Sequence, residues 1–144
     1  MANASPRLKM KPNVAYARVG DFLLMAHPET APTDEEWDRA VEAIREAADS
    51  GARALIVHTL GGGPNAAQRK KVAAMWEARG AMIDIAVTTP SAMVRGVITA
   101  LNWFLSRPAR AFATLREAME EVGAYPSQQP ELIVAMEQLK DQVR

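Results

Sequence analysis

Two short runs set the strongest limit on the fold. Residues 54–60 (ALIVHTL) and 82–87 (MIDIAV) are apolar at nearly every position. A strand that is apolar on both faces is covered on both faces, and that is the condition of a strand inside a parallel sheet. Between them, Val72, Met75 and Trp76 recur at helical spacing within a segment that Pro64 opens and that runs to about Arg79. Strand, helix and strand of these lengths form a βαβ unit with a right-handed crossover, so the chain reads as α/β.

The alternation extends in both directions. Residues 14–19 and 22–26 form a hairpin about Gly20-Asp21. Thr33-Asp34-Glu35-Glu36 is a capping box, followed by Trp37, Ala40, Val41, Ile44 and Ala48 at helical spacing, and Gly51 ends that helix. Thr89-Pro90 introduces a third helix, from 91 to about 105, with Val94, Val97, Ile98, Leu101 and Phe104. Pro108 breaks it, and residues 110–113 make a fifth strand. Thr114-Leu115-Arg116-Glu117 is a second capping box, and its helix stops at Gly123. Pro126 and Pro130 bracket a linker before a last helix over 131–143, with Leu132, Met136, Leu139 and Val143 on one stripe. The expected order is ββαβαβαβα plus a terminal helix. Residues 1–12 read as a loose arm, 13–123 as the α/β domain, and 124–144 as linker and amphipathic helix.

At 144 residues one domain is expected, with a core that needs no staples. The chain has no cysteine, so disulfides, thiolate zinc sites and cysteine nucleophiles are excluded. Two histidines are too few for a convincing metal centre, and no cofactor is expected. No apolar leader and no membrane-length apolar run is visible, so the cytoplasm is the expected compartment. The 17 basic and 17 acidic side chains cancel, which argues against nucleic acid as a partner. They are not mixed, however. Residues 1–20 carry four bases and no acid, and 21–50 carry nine acids and two bases. Residues 51–116 carry nine bases and two acids, and 117–144 carry six acids and two bases. Such blocks favour self-association or an oppositely charged protein partner.

Gly61-Gly62-Gly63 is the most unusual local feature. A glycine loop feeding a helix presents free amides to an anion, and Asn65, Gln68, Arg69 and Lys70 adjoin it. It lacks the Gly-Lys-Ser/Thr ending of a P-loop and the spaced glycines of the dinucleotide fingerprint. His58 could meet Asp84 on a neighbouring strand and act as an acid–base pair, with Thr59, Thr88 or Ser91 as nucleophile, although none lies in a nucleophile elbow. Asp84 could instead pair with Arg110. Trp103 and Phe104 mark an apolar end of the third helix. The terminal stripe must be covered, either by the chain's own sheet or by a second copy in a homodimer.

Three stretches carry a family resemblance: VAYARVGDFLLMAHP, ALIVHTLGGGPNAAQRKKVAAMW and RAFATLREAMEEVG. The chain resembles the STAS fold of anti-sigma-factor antagonists, in particular the SpoIIAA-like group. The resemblance implies a five-stranded, mainly parallel sheet with helices mainly on one face, and regulation by protein–protein contact without catalysis. In that family a phosphorylatable Ser or Thr opens the helix after the third strand. Here the matching loop, Leu60 to Asn65, has no hydroxyl, and Thr59 is the nearest. The expected recognition surface is Thr59, Gly61, Gly62, Gly63, Asn65, Arg69, Lys70 and Trp103. Two further classes stand beside it: a small-molecule, anion or lipid-binding module of SEC14-like type, and a hydrolase using His58 and Asp84.

Overall fold

The structure, a computed structural model, describes residues 11–101 and 109–144. Its strands are β1 (Ala15–Val19), β2 (Phe22–His27), β3 (Ala54–Thr59), β4 (Asp84–Thr88) and β5 (Arg110–Phe112). Its helices are α1 (Asp34–Asp49), α2 (Ala66–Arg79), α3 (Ala92–Leu101), α4 (Leu115–Glu121) and α5 (Gln129–Val143). The strands form one sheet in chain order, β1 through β5. β1 and β2 are antiparallel, and the remaining neighbours are parallel. The mainly parallel five-stranded sheet and the alternating order are those expected from the sequence.

Side chains alternate along each strand, so the central strands feed two cores. Phe22, Leu24 and Ala26 of β2 and Ile56 of β3 face Met119 of α4 and the α5 stripe. Leu23 and Met25 of β2 and Leu55 and Val57 of β3 face Trp37, Ala40 and Ile44 of α1. α5 packs across β1 and β2, with Leu132, Met136, Leu139 and Val143 all buried. The terminal helix therefore closes its own sheet. The sheet carries α4 and α5 on the face opposite α1 and α2, and the α5 stripe is covered by its own chain.

The charge blocks meet each other within the fold. α1 is acidic and α2 basic, and they lie side by side. Lys71 Nζ bonds Asp38 at 2.8 Å and Arg79 Nε bonds Asp49 at 2.7 Å. Arg45 joins Glu42 and Asp49 along α1 itself. The charge blocks read from the sequence thus partly neutralise each other inside one molecule.

Both helix starts are locked by side chains. Thr33 accepts from the Glu36 amide at 3.1 Å, and Glu36 accepts from the Thr33 amide at 2.8 Å. Glu36 also takes the backbone and side-chain N–H groups of Asn13 at 2.9 and 3.0 Å. Burial alone would raise its pKa, but these hydrogen bonds outweigh it and hold the carboxyl at about 2. α2 begins later than the sequence indicated. Asn65 is its N-cap and forms a second capping box with Gln68, so Pro64 lies outside the helix.

Gln68 is 1% exposed. Its Oε1 accepts from the Asn65 amide at 2.9 Å, and its Nε2 donates to the Pro32 carbonyl at 2.9 Å and to Asp34 at 3.0 Å. Its backbone carbonyl accepts from Trp37 Nε1 at 2.8 Å. Truncating it leaves the buried Pro32 carbonyl unpaired and removes two partly buried hydrogen bonds, to Asp34 and from the Asn65 amide. Gln68→Ala is expected to lower unfolding free energy by about 2–4 kcal/mol in urea titrations. The exposed neighbour substitution Lys70→Ala is expected to stay within about 0.5 kcal/mol of the parent.

Candidate functional site

On the α1–α2 face the helices do not close fully on the sheet. A cavity of about 380 Å³ remains between them. Its floor is Met25 and His27 of β2, Leu55 and Val57 of β3, and Ile85 and Val87 of β4. Trp37 and Ile44 of α1 and Val72 and Trp76 of α2 form one side, and Val94, Val97 and Ile98 of α3 form the other. The loop from Gly61 to Pro64 borders it at the carboxyl ends of the parallel strands. That end of an open α/β sheet is where such folds take ligands.

The loop's shape follows from one hydroxyl and one absent side chain. Thr59 is buried; its Oγ1 donates to the Gly62 carbonyl at 2.6 Å and accepts from the Gly61 amide at 2.9 Å. Gly62 donates to the Pro28 carbonyl at 2.8 Å, joining this loop to the one that leaves β2. A Cβ on Gly62 would lie 2.4 Å from the Pro28 oxygen and 2.5 Å from the Thr30 oxygen. Gly61, at φ 127°, occupies a backbone region that other residues avoid.

Of the eight residues singled out from the sequence, Thr59, Gly61, Gly62, Gly63 and Arg69 line the cavity. Arg69 Nη1 donates to the Pro64 carbonyl at 3.0 Å. Asn65 caps α2, and Lys70 is exposed on it. Trp103, like Phe104, lies outside the described residues. The sequence reading missed the wall residues His27, Trp37 and Trp76 as a set. Their chain positions are far apart, and each alone reads as ordinary core.

The proposed acid–base pair is not assembled. β3 and β4 register Ala54 beside Asp84 and His58 beside Thr88. His58 and Asp84 therefore stand four residues apart along the strands, about 13 Å at strand rise. His58 Nδ1 lies 3.3 Å from Thr88 Oγ1 instead, and Arg110 pairs with Glu121. A smaller cleft of about 310 Å³ beside His58 lies on the α4–α5 face, bordered by Glu137, Lys140 and Arg144. Among the described residues no cluster of three His, Asp or Glu is placed to hold a metal ion.

Both histidines favour the neutral form. His27 is lowered to about 4, chiefly by burial, against a weaker opposite effect of the Asn13 carbonyl. His58 is also lowered to about 4, first by burial and then by Lys140 and Arg144, with Glu137 opposing.

No protein-family model and no curated protein matches the chain. Among solved structures, an uncharacterized DUF3478-family protein with a SpoIIAA-like fold, from Shewanella loihica PV-4, superimposes with a TM-score of 0.56. The identity is 14%, over 83% of this chain and 99% of that one. At that identity the likeness shows the fold alone: the chain has the SpoIIAA-like α/β fold. No helix among the described residues is long and apolar enough to cross a membrane.

Two outcomes follow from the site. Gly62→Ala is expected to destabilise by about 2–3 kcal/mol, because carbonyls must move to admit the methyl group. Gly96→Ala, inside α3 with open space around its Cβ position, is expected to stabilise by about 0.5–1 kcal/mol. Thermal melts of the two variants check both signs. The second outcome concerns pH. An unfolded histidine takes up its proton near 6.5, whereas the folded ones wait until about 4. Stability is thus full above 6.5 and falls as pH drops from 6.5 towards 4. Urea midpoints at pH 7 and pH 5 read this decline, and His58→Asn is expected to flatten part of it.

Proposed function

We propose that this SpoIIAA-like chain is a binding module that holds a small, mainly apolar molecule in the cavity beside the glycine loop, without covalent chemistry. The cavity itself carries this reading. Its volume, about 380 Å³, falls in the range of small-molecule sites, and its walls combine two tryptophans and many aliphatic side chains with few polar groups. Its place at the carboxyl ends of the parallel strands is the usual one for ligands of open α/β sheets. An engineered apolar cavity less than half this size is enough to bind an aromatic hydrocarbon. The separation of His58 from Asp84 removes the residues on which the hydrolase alternative rested.

The neutral fluorophore N-phenylnaphthylamine tests this. Binding is expected to raise its emission and to quench Trp37 and Trp76. Val72→Phe and Val87→Phe fill the space from a helix and from the floor. Each is expected to weaken the dye at least about tenfold while unfolding stays cooperative. Unchanged affinity in both filled variants would place the dye elsewhere and remove the reading.

A regulatory protein contact is the second reading. Met93 and Val97 on α3 are 78% and 54% exposed, and Leu60 beside the glycine loop is 38% exposed. Large apolar side chains grouped near one loop favour a partner surface. Met93→Glu with Leu60→Glu is expected to abolish capture of such a partner while leaving dye binding intact, because neither side chain lines the cavity. Capture unaffected by the double variant would count against this surface.

A further inference from the structure

The cavity beside the glycine loop carries one charge. Among its described lining residues Arg69 is the only charged side chain, and His27, the other titratable one, is held neutral by burial. Arg69 lies near the start of α2 and is exposed. Its Nη1 donates to the Pro64 carbonyl at 3.0 Å, and Pro64 lines the cavity too. That bond holds the guanidinium at the cavity's border, at the end where the glycine loop leaves β3.

Other bases of α2 are spent on α1. Lys71 takes Asp38 and Arg79 takes Asp49. Arg69 meets no carboxylate among the described residues, and the Pro64 carbonyl is its single hydrogen-bond partner there. A guanidinium is a planar fork of N–H donors, so its Nε–Nη2 edge stays available. That edge matches the two oxygens of a carboxylate, and bidentate pairs of this kind are among the strong hydrogen bonds.

The rest of the wall is apolar and long in one direction. Leu55 and Thr59 both line the cavity, four residues apart on β3, about 13 Å at strand rise. Ile85 and Val87 continue the floor on β4. A molecule lying along β3 with its head at Arg69 buries an apolar tail over this run. One guanidinium balances one negative charge. A doubly charged phosphate would leave its second charge against aliphatic side chains, with no second cation among the described lining residues. A cationic head would meet Arg69 itself.

We propose that the cavity takes an amphiphile with a single negative charge, a carboxylate on an apolar tail, and that Arg69 holds the head while the tail lies along β3. The proposal rests on the ligand-binding reading above and names the class of ligand.

Octanoate, octanol and octyl phosphate share one tail and differ in the head. Each is titrated by calorimetry at pH 8, where the carboxylate is singly charged and the phosphate mainly doubly charged. The proteins are the full chain, Arg69→Gln and Arg39→Gln. Arg39 is exposed on α1 and lies outside the lining. The full chain is expected to bind octanoate about tenfold more tightly than octanol, as a charge-assisted hydrogen-bonded pair provides, and octyl phosphate more weakly than octanoate. In Arg69→Gln octanoate is expected to fall to octanol's affinity or below it, with octanol unchanged. Arg39→Gln is expected to bind all three as the full chain does. Equal binding of octanoate and octanol by the full chain overturns the head-group proposal and leaves the ligand-binding reading standing. So does tightest binding of octyl phosphate, an octanoate preference that survives in Arg69→Gln, or an equal loss in Arg39→Gln. Failure of all three ligands while N-phenylnaphthylamine binds overturns this proposal alone, and failure of the dye as well overturns both. The comparison of heads on the full chain needs no variant, so it decides if Arg69→Gln does not fold.

Discussion

The amide of Gln68 sits in the seam between α1 and α2, and the geometry around the cavity depends on it. Its oxygen closes the capping box that starts α2, and its nitrogen reaches the Pro32 carbonyl and Asp34 at the start of α1. The backbone carbonyl of the same residue fixes the Trp37 indole. Where α2 begins fixes where the glycine loop ends, and where α1 begins fixes the loop that Gly62 touches. A buried amide with all its groups bonded is rigid, because every displacement leaves a polar atom unpaired in a low-dielectric setting. α1 and α2 are therefore braced by polar contacts at a separation that leaves space between their inner faces and the sheet. Apolar packing alone would draw the helices inward until that space was gone.

Charge contributes orientation more than energy to the same seam. The Lys71–Asp38 and Arg79–Asp49 pairs join α2 to α1 at both ends of their contact. Most of these side chains are about half exposed, and pairs of that kind add little stability. Their consequence is different: like charges on both helices would oppose the close approach that Gln68 needs. The long acidic and basic blocks in the chain are thus accounted for first by neighbouring helices, and only the remainder faces outward.

What the sequence made legible and what it hid divide along physical lines. The strand runs, the Thr33–Glu36 box and the α5 stripe have short-range signatures, and all three stand where the residues put them. The Asn65–Gln68 box obeys the same chemistry but was concealed by Pro64, which offers an equally good helix start two residues before the observed first helical residue, Ala66. For His58 and Asp84 the period of two correctly assigns a common sheet face. It carries nothing about level along the strands, which the register of β3 against β4 sets. The α5 stripe required a cover, but the identity of that cover depends on which sheet face the first helices leave open. The cavity was the least legible feature. Periodicity tells which residues point inward from α1, α2 and α3, and not how far apart those inward faces stop.

Thr59 shows how local chemistry can redirect a position that family resemblance would make a switch. The hydroxyl nearest the expected phosphate-acceptor site lies at the end of β3, 4% exposed, donating to one loop glycine and accepting from another. Any reagent that modifies it must first break both hydrogen bonds. The loop those bonds shape also contacts the Pro28 carbonyl through Gly62 and borders the cavity. The hydroxyl and the cavity's edge therefore share one loop. The hydrogen bonds that bury Thr59 are thus the same ones that shape the cavity's border, so one set of contacts sets both the hydroxyl's inaccessibility and the loop's position.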